Sequence, residues 1–243
     1  MASITGAKII AESDVYAVHS VLPSGYSIGD LAFGANGKAF RLAMAGETLV
    51  VGDIYQGSVI DTQFNEMAVL TGPLGSKVAT ITNGTTTIAA NQFDGGTVVV
   101  AVTPDIGSEY TIVGHTTGAS GVTITLQLDR PIRTAWTTST KVTLRRSPYS
   151  GVIKAATTLT ASVAGVALVA ATSGQYTWLQ TKGVAAVYSD SSTFGAGSDV
   201  GCPGAAAGQI GVNVAGTGKC NTVGRAMQAN SSGKPVPVFL LLD

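Results

Sequence analysis

Charged side chains are scarce in this chain. Asp, Glu, Lys and Arg make up 12% of 243 residues and cancel to a formal net charge of zero, about half the usual charged share. That excludes a strong net field of the kind that holds nucleic acid or an anionic membrane. Histidine and cysteine occur twice each, which leaves little material for metal or nucleophile chemistry. No stretch approaches the ~18 consecutive apolar residues of a membrane-spanning helix. The longest apolar piece, 161–171, is broken by Ser162 and Gly165. Runs rich in Glu, Lys and Leu, which mark surface helices, are missing. Residues 1–10 carry one Lys and no apolar run of signal-peptide length, so the chain is expected to stay in the cytosol where it is made.

What is present is glycine, at 31 residues, with Ala, Thr, Ser and Val. Small and β-branched residues favour strands joined by tight turns. The fold class expected is all-β: hairpin-rich, sandwich- or barrel-like modules with few short helical turns. The length suffices for one large domain or two smaller ones with a core of their own. So weakly charged a surface suits a subunit packed against neighbours better than a free monomer.

Period-2 alternation marks half-buried strands. In 122–129, Val122, Ile124, Leu126 and Leu128 face one way and Thr123, Thr125, Gln127 and Asp129 the other. Val142 and Leu144 repeat the pattern, and the apolar run 97–102, between Gly95-Gly96 and Pro104, reads as a fully buried strand. Asn36-Gly37 and Asn83-Gly84 predict hairpins between 31–33 and 39–44 and between 78–82 and 85–89, because both central residues of a type I′ turn need positive φ. Lys182-Gly183 predicts a third, between 176–181 and 184–188. Helical turns are expected near Glu47-Thr48 and over 65–70. A final strand runs through 236–242, and Pro235 and Pro237 place its start at a sheet edge. Two Gly/Pro/Ser-rich stretches, 71–76 and 145–151, serve as boundaries. They divide the chain into an N-terminal arm (1–25), a β-rich module (26–75 with 151–243, as one discontinuous domain) and an inserted β module (76–150). No fixed repeat is present, which argues against a solenoid or propeller.

The search for chemistry yields no site: no catalytic, cofactor-binding or metal-ligating residue is assigned, and no cofactor is expected. His19 and His115 lie in strand-like stretches and read as structural. No Gly-x-Ser-x-Gly elbow is present. Asp53, Asp61, Glu66, Asp94, Asp105, Glu109, Asp129 and Asp190 mostly occupy turn-like settings, where carboxylates cap backbone N–H groups. They lack the dense spacing of a Ca²⁺ loop. Gly216-Thr217-Gly218-Lys219 imitates a phosphate loop, but Asn213 takes the first Gly position and Cys220 that of the Mg²⁺-binding hydroxyl. Gly195-Ala196-Gly197 lacks the dinucleotide spacing. Cys202 and Cys220 read as small packed residues or as a disulfide. Arg130, Arg133, Lys141, Arg145 and Arg146 form the one cationic cluster, with Trp136 and Tyr149 the only aromatics near it. A solvated face accounts for it better than nucleic-acid binding, which needs interleaved aromatics.

Three stretches carry a family likeness: 36–46 (Asn-Gly-Lys-Ala-Phe-Arg-Leu-Ala-Met-Ala-Gly) with 49–53, then 91–96 with 107–112, and 171–183 (containing Tyr176-Thr177-Trp178-Leu179-Gln180-Thr181) with Val223-Gly224-Arg225-Ala226-Met227. In order and spacing they resemble virion structural proteins of tailed bacteriophages, of the head decoration or cement type. The resemblance brings no catalytic residues. It implies a non-enzymatic protein that binds the outer surface of the icosahedral head and reinforces contacts between major capsid subunits. The resemblance further implies synthesis in the host bacterial cytoplasm and residence on the virion. The partners implied are the major capsid protein and further copies of the chain, as a homotrimer, with no nucleic acid and no membrane. Residues 1–25 are the expected capsid-contacting arm. Tyr176, Trp178 and Leu179 read as core packing, or else as a subunit-interface anchor. The alternatives are a head fibre or tail or baseplate component that contacts a receptor, and a virion-associated glycan hydrolase. Scarce His and carboxylates weigh against the last.

Overall fold

The computed structural model describes residues 8–202, 204–213, 221–230 and 233–243. Strand accounts for 44% and helix for 4%, so the all-β expectation holds. Contacts divide the chain into two compact units. One is Ile60–Ser147. The other comprises, among the described residues, 8–59 and 148–243.

The strands, in chain order, are β1 (Lys8–Ile9), β2 (Leu31–Phe33), β3 (Ala39–Ala45), β4 (Ile54–Gln56), β5 (Met67–Thr71), β6 (Val78–Thr82), β7 (Thr97–Val102), β8 (Glu109–His115), β9 (Thr123–Leu128), β10 (Lys141–Arg145), β11 (Ser150–Lys154), β12 (Val163–Ala167), β13 (Tyr176–Tyr188), β14 (Asp199–Cys202), β15 (Gly211–Val212), β16 (Asn221–Ala226) and β17 (Pro235–Leu241). Helix is confined to one turn at Glu12–Val15 and 3₁₀ turns at Ala35–Gly37 and Thr62–Phe64.

Unit Ile60–Ser147 is a closed barrel of order β10-β5-β6-β9-β8-β7, antiparallel throughout. Alternation supplies its interior: Met67, Val69, Ala79, Ile81, Val98, Val100, Tyr110, Ile112, Ile124, Leu126, Leu128, Val142 and Leu144 are all buried. Closure abolishes the edges that an open sheet of this size would expose. Phe64, Ile88, Phe93, Ile132 and Trp136, from the connections, complete the core. β7 alternates rather than being buried on both faces, with Val98 and Val100 inside and Val99 half-buried. Val122 precedes β9 and is exposed.

Asp105 caps one end of this core from the β7–β8 connection. Its carboxylate accepts from Ser108 Oγ (2.6 Å), Tyr110 Oη (2.7 Å) and Trp136 Nε1 (3.1 Å). The two rings meet edge-on at 5.4 Å. Burial by itself would raise the Asp105 pKa. The three hydrogen bonds and the charge of Arg133 outweigh it and hold the carboxyl below its ordinary range.

The second unit is an 11-stranded sheet of order β1-β2-β3-β11-β4-β12-β13-β17-β16-β14-β15, with β13 also paired to β3. The pairs β1–β2 and β3–β11 are parallel. Three apolar clusters fill it: around Val187, Val200, Val238 and Leu240; around Leu49, Tyr55, Val152 and Leu179; and around Ile10, Phe40, Leu42 and Trp178.

Several expectations are corrected. The Asn36-Gly37 hairpin forms, with Phe33 opposite Ala39 and both turn residues at positive φ (58° and 71°). The Asn83-Gly84 hairpin does not. Asn83 is buried, and its Nδ2 donates to the carbonyls of Thr86, Gly118 and Ala119, so the chain after β6 is tied to a distant loop instead of folding back. Lys182-Gly183 is no turn either. β13 runs through it in unbroken register with β17; its register against β3 shifts just before, between Gln180 and Lys182, and Gln180 Nε2 spans Gly183 (φ 86°) by donating to the carbonyls of Lys182 and Val184. Residues 67–70 form β5, not a helical turn. β17 is interior: β13 flanks it fully, while β16 pairs only with 238–240, so the prolines lie beyond that ladder. The barrel begins at residue 60 rather than 76, because Met67 and Val69 fill its interior. The described part of the expected arm packs on the sheet. β1 pairs with β2, Ile10 and Val15 are buried, and His19 bridges Tyr176.

Two outcomes are expected. Asp105→Ala strands buried donors of Tyr110 and Trp136 and lowers stability by about 2–3 kcal/mol in urea unfolding. Because the folded carboxyl lies below its unfolded value near ~3.9, its contribution is present above that pH and disappears as pH falls through the folded value. The acid-induced fall in melting temperature should therefore shrink in Asp105→Asn. Gly224→Ala should unfold or loosen the β16–β17 edge, since a Cβ there would stand 2.1 Å from the Phe239 carbonyl oxygen. Proteolysis confined to that region would report it.

Candidate interaction surface

The titratable residues are built into the scaffold. His115 is buried, and both ring nitrogens are engaged: Nε2 accepts from the Phe93 N–H (3.0 Å) and Nδ1 donates to the Thr116 carbonyl (2.9 Å). Both nitrogens are thus taken up within the barrel. Asp94 lies near it; burial raises its pKa and His115 lowers it. Its Oδ1 is buried without a hydrogen-bond partner. His19 is half-buried and pairs through its backbone with Tyr176.

The carboxylates mostly cap backbone. Asp61 accepts from Gln63 N–H, and Asp129 from Thr111 N–H. Asp190 is buried and gathers the N–H groups of Ser192 and Ala205. Asp53 pairs with Lys154 at 2.7 Å. Beside it, the Tyr55 phenol accepts from Val50 N–H. Burial above all pushes that phenol up to about 12; the Val50 bond lowers it, and the charges of Asp53 and Glu47 raise it. Among the described residues, no group of three His, Cys, Asp or Glu side chains is placed to hold a metal ion. The phosphate-loop imitation, 216–219, and Cys220 lie outside the described residues. Cys202 is buried.

The cationic cluster does not converge into one open patch. Arg130 donates to the Glu109 carbonyl and lies over Tyr110. Arg133 donates to Ser108 Oγ (3.0 Å), Arg145 to Asn65 Oδ1 (2.5 Å), and Arg146 lies over Phe93. Trp136 is buried in the barrel core. Trp178 is buried too, edge-on to Tyr26 at 5.5 Å, so within the chain it is core.

What sequence reasoning missed is a sheet face. Over 182–188 of β13 and along β17 every second residue points outward, and many of these are apolar. Directly opposed residues share a face, so Val184, Phe239, Arg225 and Asp199 form one cross-strand row from β13 through β17 and β16 to β14. Leu241 sits opposite Lys182, and Pro237 opposite Ala186. Val184 is 40% exposed, Phe239 42%, Leu241 47% and Met227, just past β16, 52%. At the end of the row Arg225 Nε meets Asp199 Oδ1 at 3.0 Å; so exposed a pair contributes little stability. Apolar centre and charged rim are the anatomy of a protein contact. The available signal was the outward half of each alternation, Val184-x-Ala186 and Phe239-x-Leu241, which is apolar where a solvated face would be polar.

Of the three stretches singled out in the sequence, 36–53 and 171–183 with 223–227 belong to the unit that carries this sheet, whereas 91–96 and 107–112 belong to the barrel. β3 pairs with β13, with Leu42 opposite Trp178, and β16 lies beyond β17. If the face is surface rather than core, Val184→Ser with Phe239→Ser should change unfolding free energy by less than about 1 kcal/mol while cutting binding of an apolar dye. A large loss of stability would instead make these residues core. No protein-family model matches the chain, and neither a curated protein nor a solved structure is found similar to it.

Proposed function

We propose that this chain is a non-enzymatic decoration protein of a tailed-phage head, which binds the major capsid protein on the outer shell surface, as a homotrimer. The apolar face of β13 and β17 carries the reading, because a subunit that functions by packing needs such a surface and a free monomer does not. Its low charge and the resemblance of 36–46 with 49–53, 91–96 with 107–112, and 171–183 with 223–227 to phage virion proteins support the same reading. Closed rotational symmetry is how identical chains commonly satisfy exposed patches.

A protein that binds only the assembled shell stabilises it by mass action, and many copies add through avidity. Particles lacking the protein should assemble and package DNA yet burst at lower temperature, and purified protein should restore resistance. Phe239→Lys should abolish the rescue while circular dichroism stays β-rich. Little net charge means that rescue should vary only modestly with salt. Depleted particles that resist heat normally but fail to adsorb to cells would replace this reading with the receptor-binding one. Light scattering returning a monomer at micromolar concentration would remove the trimer.

A further inference from the structure

Asp53 and Lys154 stand where the chain leaves the sheet unit and where it re-enters. Asp53 immediately precedes β4, and Lys154 closes β11. The two strands are antiparallel neighbours, with Lys154 opposite Tyr55. Lys154 Nζ lies 2.7 Å from Asp53 Oδ2, and the side chains are 34% and 8% exposed. The backbone of Gly208 is pressed onto the pair: a Cβ there would meet Lys154 Cγ at 2.9 Å and Asp53 Cγ at 3.0 Å. A second carboxylate, Glu47, accepts from the main-chain N–H of Lys154 at 2.7 Å. The buried Tyr55 phenol lies within the fields of both carboxylates.

We propose that this pair matures into an intramolecular amide cross-link between Lys154 Nζ and Asp53 Cγ. The ammonium passes a proton to the carboxylate across their contact. The neutral amine attacks Cγ, the N–C bond forms, a C–O bond breaks and one water leaves. An ammonium and a carboxylate thus become a secondary amide and water, and no oxidant, nucleotide or other reactant is consumed. Three features favour this over a lasting ion pair. The groups are held in contact on paired strands, which makes the condensation unimolecular. The covering backbone of Gly208 and the burial of Asp53 shield the carboxyl side of the contact from bulk water. Glu47, by accepting from the Lys154 main-chain N–H, holds the end of β11 that carries the amine in place beside β4. The exposed flank of Lys154 lets the product water escape.

The bond would close a loop containing the entire barrel segment Ile60–Ser147 and tie the outgoing strand to the returning one. The inference stands independently of the shell reading, since it rests on Asp53, Lys154 and Glu47 alone.

Intact-mass spectrometry of the full chain, purified folded and incubated at neutral pH before denaturation, tests it directly. The expected mass is one water below the sequence mass, and protease digestion should yield a branched peptide joining the segments around Asp53 and Lys154. Lys154→Arg keeps a cation opposite Asp53 but should retain the full mass, with an unchanged circular dichroism spectrum. A wild-type chain that keeps its full mass after prolonged incubation, with no branched peptide, overturns the proposal.

Discussion

β13 exchanges main-chain hydrogen bonds with β3 over 176–182, with β12 at 179–180 and with β17 over 182–188. A strand of 13 residues cannot satisfy three partners in one unbroken register. The register against β3 shifts between Gln180 and Lys182, Gly183 follows at positive φ, and the Gln180 amide spans the stretch. The apolar clusters on either side depend on this placement. Leu179 belongs to one, Trp178 to another, and Ala185 and Val187 to a third. A slip of one residue would turn each of these side chains to the opposite face.

The barrel follows a different economy of parts. Its walls are plain alternation, and its ends are sealed by residues from the connections. At one of them a single carboxylate, Asp105, serves a hydroxyl, a phenol and an indole. A buried phenol and indole without acceptors would each cost more than the hydrogen bond itself contributes. In a chain with few charges, the Asp, Asn and Gln side chains are thus largely absorbed in holding backbone or buried donors. Asn83, Asp190 and Gln180 do the same elsewhere. With His115 using both nitrogens internally, the described residues present structural polar groups in the interior and an apolar sheet face outside. That distribution supports the packing role we propose.

Much of the architecture was legible in the residues. The alternation at Ile124, Leu126 and Leu128 specified the inward face of β9, because strand geometry sends successive side chains to opposite sides. Asn36-Gly37 specified its hairpin because both residues adopt the positive φ that a type I′ turn demands. Scarce charge and absent helical periodicity determined the all-β class. The tertiary structure alone decided that Asn83-Gly84 would not turn the chain, since the Asn83 amide found carbonyls at Gly118 and Ala119, some 35 residues away. It alone decided that Lys182-Gly183 would continue a strand. A left-handed glycine serves a bulge as readily as a turn, and the choice belongs to the partner strands. The barrel's first strand at Met67–Thr71, the exposed row from Val184 to Asp199 and the meeting of Asp53 with Lys154 were likewise beyond local reading. Each is a relation between segments distant in the chain, and the local signals of pattern and turn chemistry carry no record of which distant strand will be the neighbour.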